Sequence, residues 1–369
     1  MMSQYLWVEG FDHVAQGLEF RMRMHSPLAE QDFVETADPQ TARIVFQRVS
    51  EQTRPFRRRT YAVYVVGVLF VDAIDPDDPN LLARYYPYLI RSLSNILVVV
   101  AGAPDRPDLY ITTLERGIFP VLSETQRAQA QGSEYYRELV FRLGPLMRSH
   151  LIINNQFMPD LPETLWQGTA ETTALSEAGA VLEQWDLLPT PFPIDQLLSP
   201  EDFQHLKRLF GIGGLSYGNL SVRHDDGSFW MSASGVNKAR MRDIGRDILL
   251  VTDYDVKREG MVLSVPAHVT PRRASVDAIE HWKIYRAHSE VGAIIHLHAW
   301  MEGVPATDIN YPCGSIELAD AVSSHVDQAP DPARWVVGLK NHGLTITGRS
   351  LDDILHRVDG QVLRQVPMQ

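Results

Sequence analysis

Residues 291–300 read Val-Gly-Ala-Ile-Ile-His-Leu-His-Ala-Trp, and this stretch decides how the C-terminal half of the chain is interpreted. Its apolar run predicts a buried β-strand over residues 291–298. Side chains alternate between the two faces of a strand, so His296 and His298 point the same way. The sequence therefore places two imidazoles side by side where a buried strand ends.

A third imidazole, that of His342, follows a separate apolar strand predicted over Trp335–Lys340. The next residue is a glycine, which permits a sharp turn of the backbone. Three imidazoles suit zinc and similar divalent metals, and a catalytic zinc keeps a further position open. We expect His296, His298 and His342 to bind one such metal, with zinc as the favoured candidate. Taken alone, the first two fit equally well a pair of partly exposed histidines bonded to their neighbours.

The composition describes an ordinary folded protein and excludes several classes. The 34 basic and 46 acidic residues give a net charge of -12, which argues against nucleic acid as a partner. The longest apolar runs are too short for a membrane span, and no secretory signal is recognisable at the N-terminus. Cys313 is the only cysteine, which fits a reducing compartment. We expect a cytoplasmic protein without membrane or nucleic-acid partners.

A proline-rich segment divides the chain. Leu187–Pro193 holds three prolines in seven residues, which stop helix and strand alike, so we place a domain boundary near residue 195. Residues 1–190 alternate between strands and helices, which predicts an α/β domain around a largely buried sheet. The predicted strands are Tyr61–Val71, Asn95–Ala101, Leu109–Thr113 and Leu151–Asn155, and the predicted helices are Asn80–Leu93, Glu134–Ser149 and Thr172–Leu187.

Residues 195–369 form a second predicted α/β domain. Its pattern predicts a helix from Ser199 to about Phe210 and antiparallel strands around the turn at Asp226-Gly227. Two further helices are predicted, over Val276–Ala287 and Leu351–Val358.

This second domain resembles the class II aldolase/adducin family over less than half of the chain. Six motifs occur in the order that the family has them: Gly218-Asn219-Leu220-Ser221-Val222-Arg223, Ser232-Ala233-Ser234-Gly235, Ser275-Val276-Asp277 with His281, His296-Leu297-His298, Gly314-Ser315-Ile316-Glu317-Leu318-Ala319, and Asn341-His342-Gly343. The resemblance implies an α/β/α three-layer fold around a mainly antiparallel sheet, assembled as a homo-tetramer. It also implies that the three histidines hold zinc, which stabilises an enediolate of a hydroxy-carbonyl substrate.

The family's proton-moving acid lies four positions before the helix histidine, and His281 then points to Asp277. The aldolases commonly have glutamate here and the ribulose-phosphate 4-epimerase branch has aspartate, so Asp277 is similar to the latter. The alternative is a carboxylate placed at a helix N-terminus by the helix dipole. His281 itself is interpreted as a packing residue beside Tyr285.

The resemblance also implies a phosphate site. The matching residues are Asn219, Ser234, Gly235 and Ser275, whereas valine replaces the family's second serine at position 276. Lys238, Arg272 or Arg273 could add positive charge, although each is more simply interpreted as a solvated surface residue.

Three functions remain open from the sequence. The first is a zinc-dependent lyase or epimerase of carbohydrate metabolism, acting on a small and sugar-phosphate-like hydroxy-carbonyl compound by retro-aldol cleavage or enolisation. The second is a non-catalytic, adducin-like interaction module. The third is a metal-dependent hydrolase or decarboxylase in which Asp277 is the base. Only 15 residues (299–313) separate His298 from Gly314, where the family has a much longer segment. The substrate of this chain therefore cannot be inferred from the family that it resembles.

Overall fold

A computed structural model describes residues 3–51, 64–113, 117–185, 187, 197–204, 218–224 and 227–367. Within these residues no helix is both long enough and apolar enough to span a bilayer. The predicted turn residue Asp226 and all of the predicted linker except Leu187 lie outside the described part of the chain. The helix predicted from Ser199 is described only as far as residue 204, and the amide of Asp202 donates to the Ser199 hydroxyl at its start (3.1 Å).

The first compact unit is built on a seven-stranded sheet. Its elements are β1 (Ser3–Trp7), α1 (Ala15–Glu30), β2 (Phe33–Glu35), β3 (Ile44–Val49), β4 (Tyr64–Phe70), α2 (Leu81–Arg91), β5 (Ile96–Ala103), β6 (Arg106–Thr113), β7 (Gly117–Pro120), α3 (Glu124–Gln129) and α4 (Glu134–Arg148). The strand order is β2-β1-β3-β4-β5-β6-β7. Strands β2 to β5 pair in parallel, and β6 and β7 add antiparallel neighbours.

The central strands of this sheet explain why the N-terminal half has long apolar runs without alternation. Strands β3, β4 and β5 are buried along most of their length. Parallel strands covered on both faces need apolar side chains at successive positions. The α/β domain predicted from alternating strands and helices is thus confirmed, with β4, α2, β5, β6 and α4 all within a few residues of their predicted bounds.

The second compact unit is built on an eight-stranded sheet. Its elements are β8 (Asn154–Met158), α5 (Ala170–Gln184), β9 (Gly218–Arg223), β10 (Phe229–Ser232), β11 (Ile248–Asp255), β12 (Gly260–Ser264), α6 (Ala278–Ala287), β13 (Ala293–Leu297), α7 (Ile316–Asp327), β14 (Val336–Leu339), β15 (Gly343–Gly348) and α8 (Leu351–Val358). The strand order is β14-β15-β13-β9-β10-β11-β12-β8, antiparallel throughout except for the parallel pair β12 and β8.

Helices cover both faces of this sheet. Asn219 on β9 lies opposite His296 on β13 and contacts Asp277 just before α6, so α6 lies on the face to which His296 points. Gly348 lies opposite Ala293, three residues from His296, and approaches Ile354 of α8 closely. Helix α8 therefore covers the other face, where it packs with α5. The predicted three-layer fold with a mainly antiparallel sheet is confirmed.

The division between the two compact units does not fall at the proline-rich segment. The second unit begins at Ser149, earlier than the predicted boundary near residue 195. Strand β8 pairs with β12 of the second sheet, and α5 packs on β9 and β10. Residues 197–204 belong to the first unit, where Asp202 accepts two hydrogen bonds from the guanidinium of Arg91 (2.7 and 2.9 Å).

Candidate metal centre

The three predicted histidines meet at one end of the second sheet. One ring nitrogen from each of His296, His298 and His342 lies within 4.8 Å of the others, and among the described residues these three form the group suited to a metal ion. Their ring centroids are 4.8–5.2 Å apart. Three imidazoles around one point can each offer a lone pair to a tetrahedral zinc ion and leave a fourth position for another ligand.

His296 is fully buried on β13 and held in one orientation. Its Nδ1 lies 3.0 Å from the carbonyl oxygen of Leu344 on the neighbouring strand. Because a carbonyl only accepts, Nδ1 carries the proton and the lone pair is on Nε2. A backbone carbonyl bonded to the far nitrogen of a ligating histidine is the usual second contact in metal sites. This hydrogen bond therefore presets His296 for metal binding.

His342 lies in the short connection between β14 and β15, and the sharp turn comes from Asn341 rather than from the glycine. Asn341 adopts a left-handed conformation (φ 56°), which asparagine tolerates better than most residues. Gly343 is needed for a different reason: a Cβ atom there would lie 2.0 Å from the carbonyl oxygen of Leu297. The absence of a side chain lets the His342 connection lie directly against the end of β13.

We predict that Gly343→Ala separates these two segments. The clash with the Leu297 carbonyl should lower the free energy of unfolding by about 2–3 kcal/mol. It should also weaken zinc binding about 10- to 100-fold, the range seen when the support of metal ligands is disturbed. Urea unfolding and competition with a chromophoric zinc chelator measure the two effects.

The matched control is Gly303→Ala. Gly303, unlike Gly343, is left-handed (φ 72°), and no described atom lies within 4 Å of a Cβ placed there. That variant should lose about 1 kcal/mol of stability through backbone strain and bind zinc normally. Equal zinc affinities in the two variants would contradict the role assigned to Gly343.

Asp277 lies beside the histidines, at the residue that precedes α6. It is 6% exposed, and its Oδ2 lies 3.9 Å from the Nε2 of His296. The same oxygen accepts hydrogen bonds from the Asn219 amide (2.7 Å) and the Ser275 hydroxyl (3.3 Å). The carboxylate is thus held at the edge of the histidine cluster, within reach of a molecule bound there.

The residues predicted for phosphate lie together around the start of α6. Ala233 and Ala274 form an antiparallel bridge, and the amide of Ser234 donates to the carbonyl of Arg273 (2.9 Å). The Ser234-Gly235 turn is thereby placed next to Ser275. The amide nitrogen of Asn219 contacts both Asp277 (2.7 Å) and the Ser275 hydroxyl (3.0 Å), so both of its protons have acceptors in the protein. Its role in phosphate binding stays a prediction.

Lys238 differs from its interpretation as a surface charge. It is 1% exposed, and burial lowers the pKa of its amine to about 7, although nearby Glu183 and Asp277 act in the opposite direction. Arg272 and Arg273 are exposed, as expected of solvated residues.

A buried polar layer behind the histidines was not foreseen from the sequence. Glu280 is 2% exposed, accepts a hydrogen bond from Thr345 (2.5 Å), and has its pKa raised to about 8 by burial and by the charge of Asp277. Residue 280 lies one helical turn after Asp277, and that spacing was the only signal of its position in the sequence.

The packing role expected for His281 agrees with the structure. Its Nδ1 lies 2.7 Å from the Ser221 hydroxyl, which in turn lies 2.8 Å from the Tyr285 hydroxyl. Burial, together with nearby His296, lowers the pKa of His281 to about 3, so its ring is neutral and adds no charge to the site.

Glu280 predicts a pH dependence of stability in the metal-free protein. Its folded-state pKa of about 8 exceeds the unfolded value near 4.5. The stability that protonated Glu280 contributes is therefore complete below pH 4.5 and is lost as the pH rises through 8. Glu280→Gln removes this loss. We expect the decrease in unfolding free energy between pH 5 and pH 8.5 to shrink by on the order of 1–4 kcal/mol. Urea unfolding of EDTA-treated protein at both pH values measures it, and an unchanged decrease would contradict the assignment.

The chain resembles known proteins over its C-terminal half, as its motifs predicted. Residues 203–306 match the family model described as Class II Aldolase and Adducin N-terminal domain. A curated relative, methylthioribulose-1-phosphate dehydratase from Stenotrophomonas maltophilia strain K279a, is 27% identical over 146 residues, which cover 38% of this chain and 61% of the relative. The chain thus spans about three-fifths of the length of the curated relatives that it matches.

Two solved structures are similar to the chain at low identity. A putative aldolase/epimerase/decarboxylase from Klebsiella pneumoniae is 18% identical with a TM-score of 0.33, covering 52% of this chain and 86% of that protein. L-fuculose-1-phosphate aldolase from Thermus thermophilus is 19% identical with a TM-score of 0.30, covering 50% of this chain and 85% of that protein.

Proposed function

We propose that the C-terminal unit is a zinc-dependent lyase that acts on a small phosphorylated hydroxy-carbonyl compound. The observation that carries this proposal is the histidine group with one carboxylate beside it: three imidazoles within 4.8 Å, and Asp277 at 3.9 Å from His296. Imidazole ligands favour zinc over magnesium or calcium, and three protein ligands are typical of a catalytic zinc. A zinc ion at this position supplies Lewis-acid stabilisation of negative charge on the substrate's oxygens.

Asp277 is the group that moves the proton in this proposal. Lyase chemistry next to a carbonyl leaves negative charge on the substrate when a proton or an aldehyde departs. A general base must lie within hydrogen-bond reach of that proton. Asn219 and Ser275 hold Asp277 beside the histidine group, and a carboxylate is one of the usual general bases. Burial lowers the pKa of His281 to about 3, and its Nδ1 contacts the Ser221 hydroxyl, so Asp277 is the better candidate.

The phosphorylated substrate is supported by polar groups next to Asp277. The Ser234-Gly235 turn and Ser275 lie next to each other. Backbone N–H groups at such a turn and near the N-terminus of a helix can bind an anion. The curated relative is named for a phosphorylated sugar, methylthioribulose 1-phosphate, which agrees with this polarity.

A proton-exchange experiment tests the removal of a proton next to the carbonyl of the substrate. The zinc-loaded full chain is incubated in D2O with methylthioribulose 1-phosphate and, separately, with dihydroxyacetone phosphate, and ¹H NMR follows the protons next to the carbonyl. We expect these protons to exchange or the compound to be converted. EDTA should stop the reaction and added zinc should restore it.

Two comparisons make the result specific. Unphosphorylated dihydroxyacetone should react with a clearly higher KM, because it lacks the anion. Zinc-loaded protein that neither exchanges nor converts any phosphorylated hydroxy-ketone would contradict the proposal and favour a non-catalytic module.

A further inference from the structure

Two buried contacts join the start of α6 to the sheet, one on each side of His296. The register places Asn219 of β9 and Thr345 of β15 directly opposite His296, on the two strands that flank β13. Directly opposite residues share a face of the sheet, so all three side chains point toward α6. The Asn219 amide donates to Asp277 (2.7 Å), and the Thr345 hydroxyl donates to Glu280 (2.5 Å). The start of α6 therefore crosses over His296.

The two contacts lie at separate points of the sheet. Neighbouring strands are about 4.8 Å apart, so Asn219 and Thr345, which are two strands apart, are separated by roughly 10 Å. Asp277 and Glu280 are three positions apart, which is a rise of about 4.5 Å along a helix, and they lie on the same side of it. The longer side chain of glutamate covers part of the remaining distance. The start of α6 is thus attached at two points, and Asp277 forms one of them.

A carboxyl group is an unfavourable choice for stability at position 280. Glu280 is 2% exposed, and Thr345 is fully buried. The Oε1 of Glu280 accepts from Thr345, whereas Oε2 has no hydrogen-bond partner among the residues that the structure describes. A buried polar atom without a partner costs stability, and an apolar pair of the same shape would be at least as stable. Stability therefore does not explain this carboxyl group, and positions that break the rules of packing are often functional.

We infer that Glu280, through its hydrogen bond with Thr345, is a positioning residue for Asp277. This inference rests on the proposed function, since it needs Asp277 to move the proton. The bond with Thr345 fixes the second point of attachment, and with it the direction in which α6 crosses His296. Asp277 at the first point is then kept 3.9 Å from the ring of His296. A misplacement of about 1 Å can cost on the order of 100-fold in rate, so Glu280 acts on catalysis without touching the substrate.

A double variant tests the inference. Glu280→Met together with Thr345→Val removes both polar partners and keeps their shapes, so urea unfolding should give a stability equal to that of the wild type or higher. Zinc content should stay at one per chain. In the proton-exchange assay kcat should fall by about 10- to 100-fold, with little change in KM. A contact that only stabilised the fold could not lower kcat while stability is kept.

Conservative variants and a matched control identify the bond. Glu280→Gln keeps an oxygen that accepts from Thr345, and Thr345→Ser keeps the hydroxyl that donates, so each should recover most of the lost kcat. The control is Thr347→Val, on the same strand and the same face. The Thr347 hydroxyl is buried and donates to the carbonyl of Pro332 (2.5 Å), so this variant should lose stability and keep kcat.

Amide hydrogen exchange tests the attachment of α6 without an assay of activity. In zinc-free protein, the amides at the start of α6 should exchange about 2- to 10-fold faster in the double variant, which is the factor that one lost hydrogen bond gives. Exchange in α8, which covers the other face of the sheet, should stay as in the wild type. Mass spectrometry of peptides from the two helices measures both.

The outcomes separate this inference from the proposed function. Wild-type kcat in the double variant, or unchanged exchange in α6, would overturn the role of Glu280 and leave the histidine group and Asp277 intact. A Glu280→Gln variant that loses as much kcat as the double variant would assign the effect to the charge of the carboxyl group and overturn the role of its bond. Loss of zinc from the double variant would place the effect on His296 and overturn it as well. Zinc-loaded wild type without activity would contradict the proposed function, and the positioning of a base with it.

Discussion

His296→Ala is expected to abolish metal binding and activity together. The residue contributes one of the three imidazoles, and its Nδ1 is fixed by the Leu344 carbonyl. Loss of an outer contact to a metal ligand already costs about 10–100-fold in affinity, and loss of the ligand itself should cost more than that. Activity should fall by at least about 10³-fold, because the Lewis-acid contribution of several kcal/mol disappears. Inductively coupled plasma mass spectrometry measures the zinc content, and the proton-exchange assay measures the activity.

The control for this variant is His356→Ala, which removes a histidine whose side chain is 81% exposed on α8. It should keep one zinc per chain and full activity. His296 is fully buried, so its loss also leaves a cavity. His298→Ala is the companion variant, because His298 is only partly buried. A folded His298→Ala protein that keeps wild-type zinc content would sink the three-histidine site.

The sequence predicts the grouping of the three histidines because local rules fix it, and metal binding by them stays a prediction. Alternation along a strand places His296 and His298 on one face, and both join the observed group. His342 could be added because an apolar strand ends just before it. The motif order then predicted the antiparallel sheet and its three layers. The two-residue alternation of a strand and the order of the motifs were therefore enough to predict the histidine group and the three-layer fold.

Contacts between distant segments could not be predicted in this way. Cys313 meets His342 only because a turn at Gly314 is held by Val276 and Ile152, which lie far away in the chain. Strand β8 precedes the proline-rich segment but pairs with β12 more than a hundred residues later. Proline marks where regular structure stops; it does not state which sheet a strand joins. The boundary near residue 195 was predicted from the proline-rich segment alone.

Burial was the other property that could not be predicted from the sequence. Lys238 and Glu280 look like ordinary charged residues beside helical or turn positions, yet each is nearly inaccessible. Their environment sets their pKa values in opposite directions, lowering the pKa of the amine to about 7 and raising that of the carboxyl to about 8. Both shifts have desolvation as their main cause, and desolvation depends on the finished fold. Buried charged residues of this kind can be recognised only from the folded structure.

Asp277→Asn should separate catalysis from metal binding. The amide keeps the shape of the carboxylate but cannot accept a proton, so kcat should fall by about 10²–10⁴-fold, the usual contribution of a general base. Zinc content should stay at one per chain, because the three histidines are untouched. The side chain is nearly buried and contacts Asn219 and Ser275, and the isosteric amide fits the same space.

The matched control is Asp352→Asn, whose side chain is 85% exposed on α8 and which should behave as wild type. Asn219→Ala gives an intermediate case: it leaves the carboxylate but removes its shortest hydrogen bond, 2.7 Å from Nδ2 to Oδ2. Loss of this donor leaves the carboxylate less firmly positioned, so kcat should fall by less than it does in Asp277→Asn. An Asp277→Asn variant with normal kcat would show that another group moves the proton, whereas one that also loses zinc would make Asp277 part of the metal site.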